Sequence, residues 1–169
     1  MRRSVLAGVL LLGLVACKSA PEAVEAPGEG FLGALALPAV GPQRQAAEEL
    51  SGRVVLVNFL ATWCFPCMAE LPTLEALQRD YGPQGFQVVG VGMDLEGEQV
   101  LVPFAEHYAL RFPVLVADQR IHLGQSPFGV IDALPTSFIL DRQGRVVAAW
   151  QGVAPHEEMA KAIEKVLKK

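Results

Sequence analysis

The chain has 169 residues, of which 51% are hydrophobic and 19% charged, and its formal net charge is −4 at pH 7. This length and composition suffice for one domain with a hydrophobic core, and no internal repeat interrupts the sequence. The excess of acidic residues argues against a nucleic-acid-binding protein, because such proteins carry a basic surface.

The first residues have the organisation of an export signal. A basic start precedes an apolar run over residues 5–15, which is shorter than the roughly 20 residues of a membrane-spanning helix. Leu14-Val15-Ala16-Cys17 resembles the lipobox of bacterial lipoproteins, in which the cysteine receives lipid and begins the mature chain. We therefore expect residues 1–16 to be a lipoprotein signal peptide and Cys17 to be the lipidated anchor. An ordinary secretory signal with an incidental cysteine is the alternative.

The segment after the signal is expected to be a tether. Residues 17–30 are rich in Ala, Pro, Glu and Gly and offer almost nothing to bury, which is typical of a flexible chain. The folded domain is then residues 31–169. Removal of the signal lowers the basic count from 14 to 12 against 18 acidic residues, so the mature chain carries a charge of about −6.

The first half of the domain alternates strands with helices. Residues 54–60 form an apolar, β-branched run that predicts a central strand covered on both faces. It leads into a helix from Cys64 to about residue 80, in which Pro72 should produce a kink. A strand over residues 86–92 and a helix over residues 98–108 follow.

The second half completes an α/β pattern. We predict a strand over residues 113–117, a helical turn near residues 120–124, and two strands over residues 136–140 and 146–150 joined by a hairpin turn. A last helix is predicted over residues 155–167, opened by a proline and followed by lysines at its negative end. Such an order predicts a mixed sheet with helices on both faces.

The motif with the most chemical information is Trp63-Cys64-Phe65-Pro66-Cys67. Two cysteines with this spacing at the start of a helix can close a reversible disulfide. Cys64 lies at the first turn, where free backbone N–H groups and the helix dipole stabilise a thiolate, so Cys64 is the expected nucleophile. Cys67 lies one turn deeper and is the expected resolving cysteine, which attacks the mixed disulfide that Cys64 forms.

These features together resemble the thioredoxin fold, and more narrowly the TlpA/ResA-like family of membrane-anchored thioredoxins in the redoxin superfamily. The resemblance rests on residues 57–67, on Glu70-Leu71-Pro72, and on residues 134–141 followed by Gly144. It implies a thioredoxin-like fold with a central mixed β-sheet flanked by helices, an N-terminal extension, and an extra β–α insertion over residues 92–112.

The resemblance also implies roles for residues outside the cysteine motif. Pro135 would have a cis peptide bond beside the cysteines, and the backbone of Leu134 would pair with an extended client segment. Glu70 matches an active-site acid of the family and could serve as general base for Cys67, although a Glu that merely faces solvent is the alternative. Asn58 stands where ordinary thioredoxins carry a buried Asp, and Asn cannot take up a proton.

Four residues are expected to contact the substrate, namely Trp63, Phe65, Pro66 and Leu134. Trp63 would offer an apolar platform beside the nucleophile, although plain packing also explains a tryptophan. Pro66 stands where strong oxidants of this fold carry His, so we expect a reductant. Met93 and Asp94 follow a strand end at the same edge of the sheet and are candidates for the cleft lining.

The resemblance implies an envelope thiol:disulfide oxidoreductase, a periplasmic lipoprotein on the inner or outer membrane. Its clients would be exported proteins with disulfides, with cytochrome c maturation as one pathway, and a membrane thiol reductant of the DsbD/CcdA kind would supply electrons. No cofactor beyond the Cys64–Cys67 disulfide is expected, and no metal, since His107, His122 and His156 lack ligand spacing. A monomer is expected.

Two other functions stay open. A peroxiredoxin-like thiol peroxidase needs the motif P-x-x-x-T-x-x-C, and with Cys64 as its cysteine the Pro and Thr positions hold Val57 and Ala61. A copper-delivery or client-binding module of this fold prefers C-x-x-x-C with a distant His, whereas the spacing here is one residue shorter.

Overall fold

The computed structural model describes residues 30–41, 43 and 47–168. The predicted signal peptide, the predicted lipidation site Cys17 and nearly all of the predicted tether lie outside the described residues. Within the described part of the chain, no helix combines the length and apolar character needed to cross a membrane.

Six strands form one mixed sheet in the order β1-β4-β3-β2-β5-β6. Their bounds are β1 Ala39–Val40, β2 Val54–Leu60, β3 Phe86–Gly92, β4 Val114–Val116, β5 Thr136–Leu140 and β6 Val146–Gln151. Strands β2, β3 and β4 run parallel to one another, whereas β1, β5 and β6 pair antiparallel with their neighbours. The central position predicted for β2 is confirmed, because it pairs with β3 on one side and β5 on the other.

Four α-helices accompany the sheet: α1 Phe65–Tyr81, α2 Glu98–His107, α3 Gln119–His122 and α4 His156–Leu167. Short 3-10 helices lie at Gly33–Leu35, Ala47–Leu50 and Gly82–Gln84. The insertion predicted over residues 92–112 consists of α2 and its flanking loops, and it leads directly into β4.

The two faces of the sheet are covered unequally. Side chains of β2 alternate between the faces, because successive residues of a strand point in opposite directions. Val54, Leu56 and Leu60 pack in one core with residues of α1, α2 and α4. Val55, Val57 and Phe59 pack in a second core with Ile121 of α3, Phe128 and residues of the N-terminal segment. Helices therefore cover both faces, but the second face relies mainly on a single helical turn and the N-terminal extension.

Three details differ from the sequence-based expectation. Strand β1 was not predicted, and it pairs with β4 through only two residues. Pro155 is the N-cap of α4 and not a residue of its first turn. Cys64 is the N-cap of α1 and not its first residue; Pro72 lies inside the helix, and the kink expected there stays a prediction.

Candidate active site

The two cysteines of the motif form a disulfide at the N-terminus of α1. The Cys64 and Cys67 sulfur atoms are bonded, and their Cα atoms lie 5.3 Å apart. The backbone N–H of Cys67 also donates a hydrogen bond to the Cys64 Sγ at 3.2 Å, so this sulfur takes the place of a helix-capping oxygen. The positive end of the α1 dipole faces the same atom, and it would stabilise negative charge there after reduction.

The disulfide lies beside an open groove of about 630 Å³. Both cysteines are buried, at 5% exposed for Cys64 and 1% for Cys67, but only Cys64 lines the groove. The side chains of Trp63 and Phe65 are 68% and 81% exposed at its edge, although both are large and apolar. The remaining lining residues are Pro66, Met93, Ile131, Asp132, Ala133 and Leu134. The four predicted substrate contacts therefore all line this groove.

The opposite wall of the groove carries the cis peptide bond implied by the family resemblance. The Leu134–Pro135 bond is cis, and Pro135 immediately precedes β5. The Pro135 carbonyl accepts a hydrogen bond of 2.7 Å from the backbone N–H of Gly152, at the end of β6. This contact fixes the start of β5, and with it Leu134, against the neighbouring strand.

Glu70 is buried, with 1% of its surface exposed, so it is not a surface residue facing solvent. Its Oε2 accepts a hydrogen bond of 2.9 Å from the Asn58 Nδ2, and its Oε1 accepts one of 2.9 Å from the backbone N–H of Ala154. Asn58 Nδ2 also donates to the Ser137 Oγ at 2.9 Å. One buried network thus joins β2, β5, α1 and the segment before α4.

The surroundings of Glu70 change its acidity. Burial raises the pKa of Glu70, because a charged carboxylate loses solvation, while the hydrogen bonds from Ala154 and Asn58 act in the opposite direction. Burial outweighs the hydrogen bonds, and the pKa stays above its ordinary value of 4.5. A carboxyl group with a raised pKa holds a proton more readily than an ordinary carboxyl group, which suits it to general acid–base chemistry.

Asp94 holds the turn in front of the disulfide. Its carboxylate accepts hydrogen bonds from the Thr62 backbone N–H at 3.0 and 3.1 Å and from the Thr62 Oγ1 at 2.6 Å. The neighbouring Met93 donates its backbone N–H to the Leu60 carbonyl at 2.8 Å. Met93 and Asp94, which directly follow β3, therefore hold Leu60 and Thr62 in place just before Trp63 and Cys64.

Sequence reasoning missed three partners in this region, Ser137, Ala154 and the Thr62 contact of Asp94. Ser137 faces Asn58 directly across β2 and β5, which becomes visible only when the strand register is known. Ala154 contributes a backbone N–H, and no residue type signals such a contact. The one available sequence signal for a buried network was Asn58, an isolated polar residue in the otherwise apolar run of β2.

In the part of the chain that the structure describes, no group of three or more His, Cys, Asp or Glu side chains is arranged to hold a metal ion. The candidate site consists instead of the disulfide, the groove, the cis proline and the buried carboxyl group. The chain has a thioredoxin-like fold with a disulfide at the N-terminus of its first long helix. These two features assign it to the class of thioredoxin-like dithiol proteins.

The chain belongs to the Redoxin family, whose model matches residues 17–167. It is 32% identical over 119 residues to the thiol-disulfide oxidoreductase ResA of Bacillus cereus, and the match covers 70% of this chain and 66% of that relative. It is 31% identical over 124 residues to the thioredoxin-like protein YneN of Bacillus subtilis, covering 72% of this chain and 70% of the relative. The match to ResA thus falls just short of two thirds of that protein.

Solved structures agree with this family. The fold is similar to that of a candidate thiol:disulfide interchange protein DsbE from Chlorobium tepidum, with a TM-score of 0.65 and 29% sequence identity. That match covers 83% of this chain and 96% of the other. The expected TlpA/ResA-like thioredoxin fold is therefore confirmed.

Proposed function

We propose that this protein is a thiol:disulfide oxidoreductase that reduces disulfides in exported proteins through the Cys64/Cys67 dithiol. The observation that carries the proposal is the unequal placement of the two sulfur atoms. Cys64 is the N-cap of α1 and lines the open groove, whereas Cys67 lies within α1, is 1% exposed and does not line the groove. This is the arrangement needed for one cysteine to attack a client and the other to release it.

In the first step, the Cys64 thiolate attacks one sulfur of the client disulfide. The client S–S bond breaks, a mixed disulfide forms between Cys64 and the client, and the second client sulfur leaves as a thiolate that takes a proton from water. The backbone N–H of Cys67 and the α1 dipole stabilise the Cys64 thiolate before the attack. Trp63, Phe65 and Leu134 supply apolar surface for the client segment next to its cysteine.

In the second step, Cys67 attacks the Cys64 sulfur. The ionised Glu70 carboxylate serves as general base and takes the Cys67 proton, directly or through water. The mixed disulfide breaks, the client leaves with both sulfurs reduced, and the Cys64–Cys67 disulfide forms. Two electrons have then passed from this protein to the client.

The chain must regain these electrons from another protein. We propose a membrane thiol reductant of the DsbD/CcdA kind as the donor, and attachment to the inner or outer membrane through lipid on Cys17. Export and membrane anchoring follow from the signal-like start of the chain. The relative named thiol-disulfide oxidoreductase ResA supports the exchange chemistry, and we propose clients in the cell envelope with cytochrome c maturation as one pathway.

The first test is the reduction potential of the Cys64–Cys67 pair, equilibrated against defined thiol buffers. A value near about −270 mV, that of thioredoxin, is expected for a reductant. A value near about −120 mV, that of a strong oxidant, would overturn the direction of transfer and the weight given to Pro66.

A trapping experiment tests the division of labour between the cysteines. Cys67→Ser should accumulate a mixed disulfide with a disulfide-containing client peptide, because the second attack is lost. Cys64→Ser is the matched control and should accumulate none. Equal trapping by both variants would contradict the assignment, and rapid turnover of peroxide by the wild type would favour the peroxidase alternative.

A further inference from the structure

The amide of Asn58 occupies the centre of the buried network. Its Nδ2 carries two hydrogens, and the structure uses both, one toward the Glu70 Oε2 and one toward the Ser137 Oγ, each at 2.9 Å. Asn58 and Ser137 are opposite one another in the register of β2 and β5, and both are 1% exposed. The side chain is therefore held at a fixed place in the sheet, with one N–H aimed at the carboxylate.

Both groups that contact Glu70 favour its ionised form. The Asn58 N–H and the Ala154 N–H are donors, and an N–H donor binds a charged carboxylate more strongly than a neutral carboxyl group. Glu70 accepts hydrogen bonds from Asn58 of β2 and from the Ala154 backbone, Ser137 lies behind Asn58, and Cys67 lies three residues earlier on α1. Of these only the Cys67 thiol can titrate when the disulfide is open.

An amide suits this position better than any acid. After Glu70 takes up a proton, an amide that turns over presents its Oδ1 and accepts the new O–H. An Asp at the same place would put a second carboxylate within hydrogen-bond distance of Glu70, and the two would compete for one proton. Asn58 thus supports both protonation states of Glu70 without titrating itself.

We infer that Asn58 is a positioning residue for the release of the client: held beside Glu70 by Ser137, its amide favours the ionised form of Glu70, the form that can take the Cys67 proton. This inference rests on the proposed function and adds to it the group that sets when Glu70 can act. Cys67 gives its proton to Glu70, and its sulfur bonds to the Cys64 sulfur as the mixed disulfide breaks. Asn58 only exchanges a donated hydrogen bond to Glu70 for an accepted one.

The test separates the two steps of exchange with dithiobis(nitrobenzoate). The reduced, purified protein carries Cys17→Ser in every variant, so it releases one nitrothiophenolate when Cys64 attacks the reagent and a second when Cys67 resolves the mixed disulfide. The rate of the second release is measured by stopped-flow absorbance as a function of pH. Asn58→Ala should move the midpoint of this profile to higher pH by about one unit or more, because a hydrogen bond to a charged group is lost.

Ser137→Ala is the gentler variant, since it removes one oxygen and leaves Asn58 in place. It should move the midpoint in the same direction by less, and it decides the question alone if Asn58→Ala does not fold. In a Glu70→Gln background, neither change should shift the midpoint of the pH profile, because the carboxyl group on which Asn58 acts is absent.

Two results would overturn the inference. One is an unchanged midpoint in the folded Asn58 and Ser137 variants while Glu70→Gln alters the profile. The other is an equal shift in the wild-type and Glu70→Gln backgrounds, which would mean that Asn58 acts on the cysteines without Glu70. Failure of the proposed function has a different signature, namely a wild type that never releases the second nitrothiophenolate.

Discussion

Two carboxylates are buried at opposite ends of the sheet, and their surroundings shift their acidity in opposite directions. Glu70 contacts an amide and a backbone N–H, and burial keeps its pKa above the ordinary value. For Asp141, after β5, burial also acts to raise the pKa, but the Arg145 side chain and the backbone N–H groups of Arg145 and Gln143 outweigh it and leave the pKa lowered. The Arg145 Nη2 lies 2.7 Å from the Asp141 Oδ2.

The difference follows from the partners that each carboxylate receives. Asp141 has a cation and donors from the hairpin turn, so it remains ionised and holds the turn between β5 and β6. Glu70 has neutral donors alone as hydrogen-bond partners, which leaves it able to gain and lose a proton. A carboxylate with a lowered pKa and one with a raised pKa are thus distinguished here by a partner's charge more than by burial.

Asp94 extends the comparison to a third carboxylate and gives the largest expected effect on stability. Asp94→Ala should lower the free energy of unfolding by about 2 kcal/mol, because the Thr62 N–H and hydroxyl lose a charged acceptor. Urea unfolding of the oxidised protein measures this, with an unchanged m-value as the sign of an unchanged transition. Asp94→Asn keeps one acceptor oxygen and should cost less. An equal cost in both variants would contradict the role given to the charge.

The pH dependence of stability should separate Glu70 from Asp141. The folded protein binds the Glu70 proton more tightly than the unfolded chain does, so wild type loses stability relative to Glu70→Gln as pH rises from 4.5 through the folded-state pKa. The loss amounts to about 1.4 kcal/mol for each unit by which the pKa is raised.

Asp141 has the opposite sign. Its contribution is present above 3.8 and is lost as pH falls through the lowered folded-state pKa, so wild type loses stability relative to Asp141→Asn on acidification. Urea midpoints from acidic to neutral pH measure both differences. Parallel curves for the two pairs would show that the carboxylates do not differ.

The smallest expected effect concerns two exposed apolar side chains, Phe65 beside the disulfide and Val147 on β6. Phe65→Ala should slow reduction of a disulfide-containing protein client about fivefold, since less than 1 kcal/mol of contact is lost, and should leave exchange with a small disulfide unchanged. Val147 on β6 is also exposed, and Val147→Ala is the matched control with no expected change. A similar loss in both variants would contradict a client contact at Phe65.

The strands and helices that position the site follow from local patterns. The predicted bounds of β2, β3 and β5 agree with the structure, because each is an apolar run limited by polar or turn-forming residues. Strand β1 could not be found in this way. It is two residues long and exists through its pairing with β4, so its existence depends on a distant partner and not on its own pattern.

The chemistry of the site was predictable in part for the same reason. Cys64, Cys67 and the cis bond before Pro135 follow from a short motif and a family resemblance. The burial of Glu70 could not be decided, because a helix of mixed polarity does not say which side chain faces the sheet. The Asn58–Ser137 and Asp94–Thr62 contacts join segments distant in sequence, and only the register and the loop geometry bring them together.

The location of β2 has a consequence for how the molecule tolerates repeated cycling. β2 is wholly buried and hydrogen-bonded to a strand on each side, so its amides should be among the last to exchange with deuterium. Cys64 follows the end of this strand after a short, pinned turn. In the proposed reaction cycle the S–S bond opens and closes at the margin of this protected strand, so local opening elsewhere in the domain should leave the support of Cys64 in place.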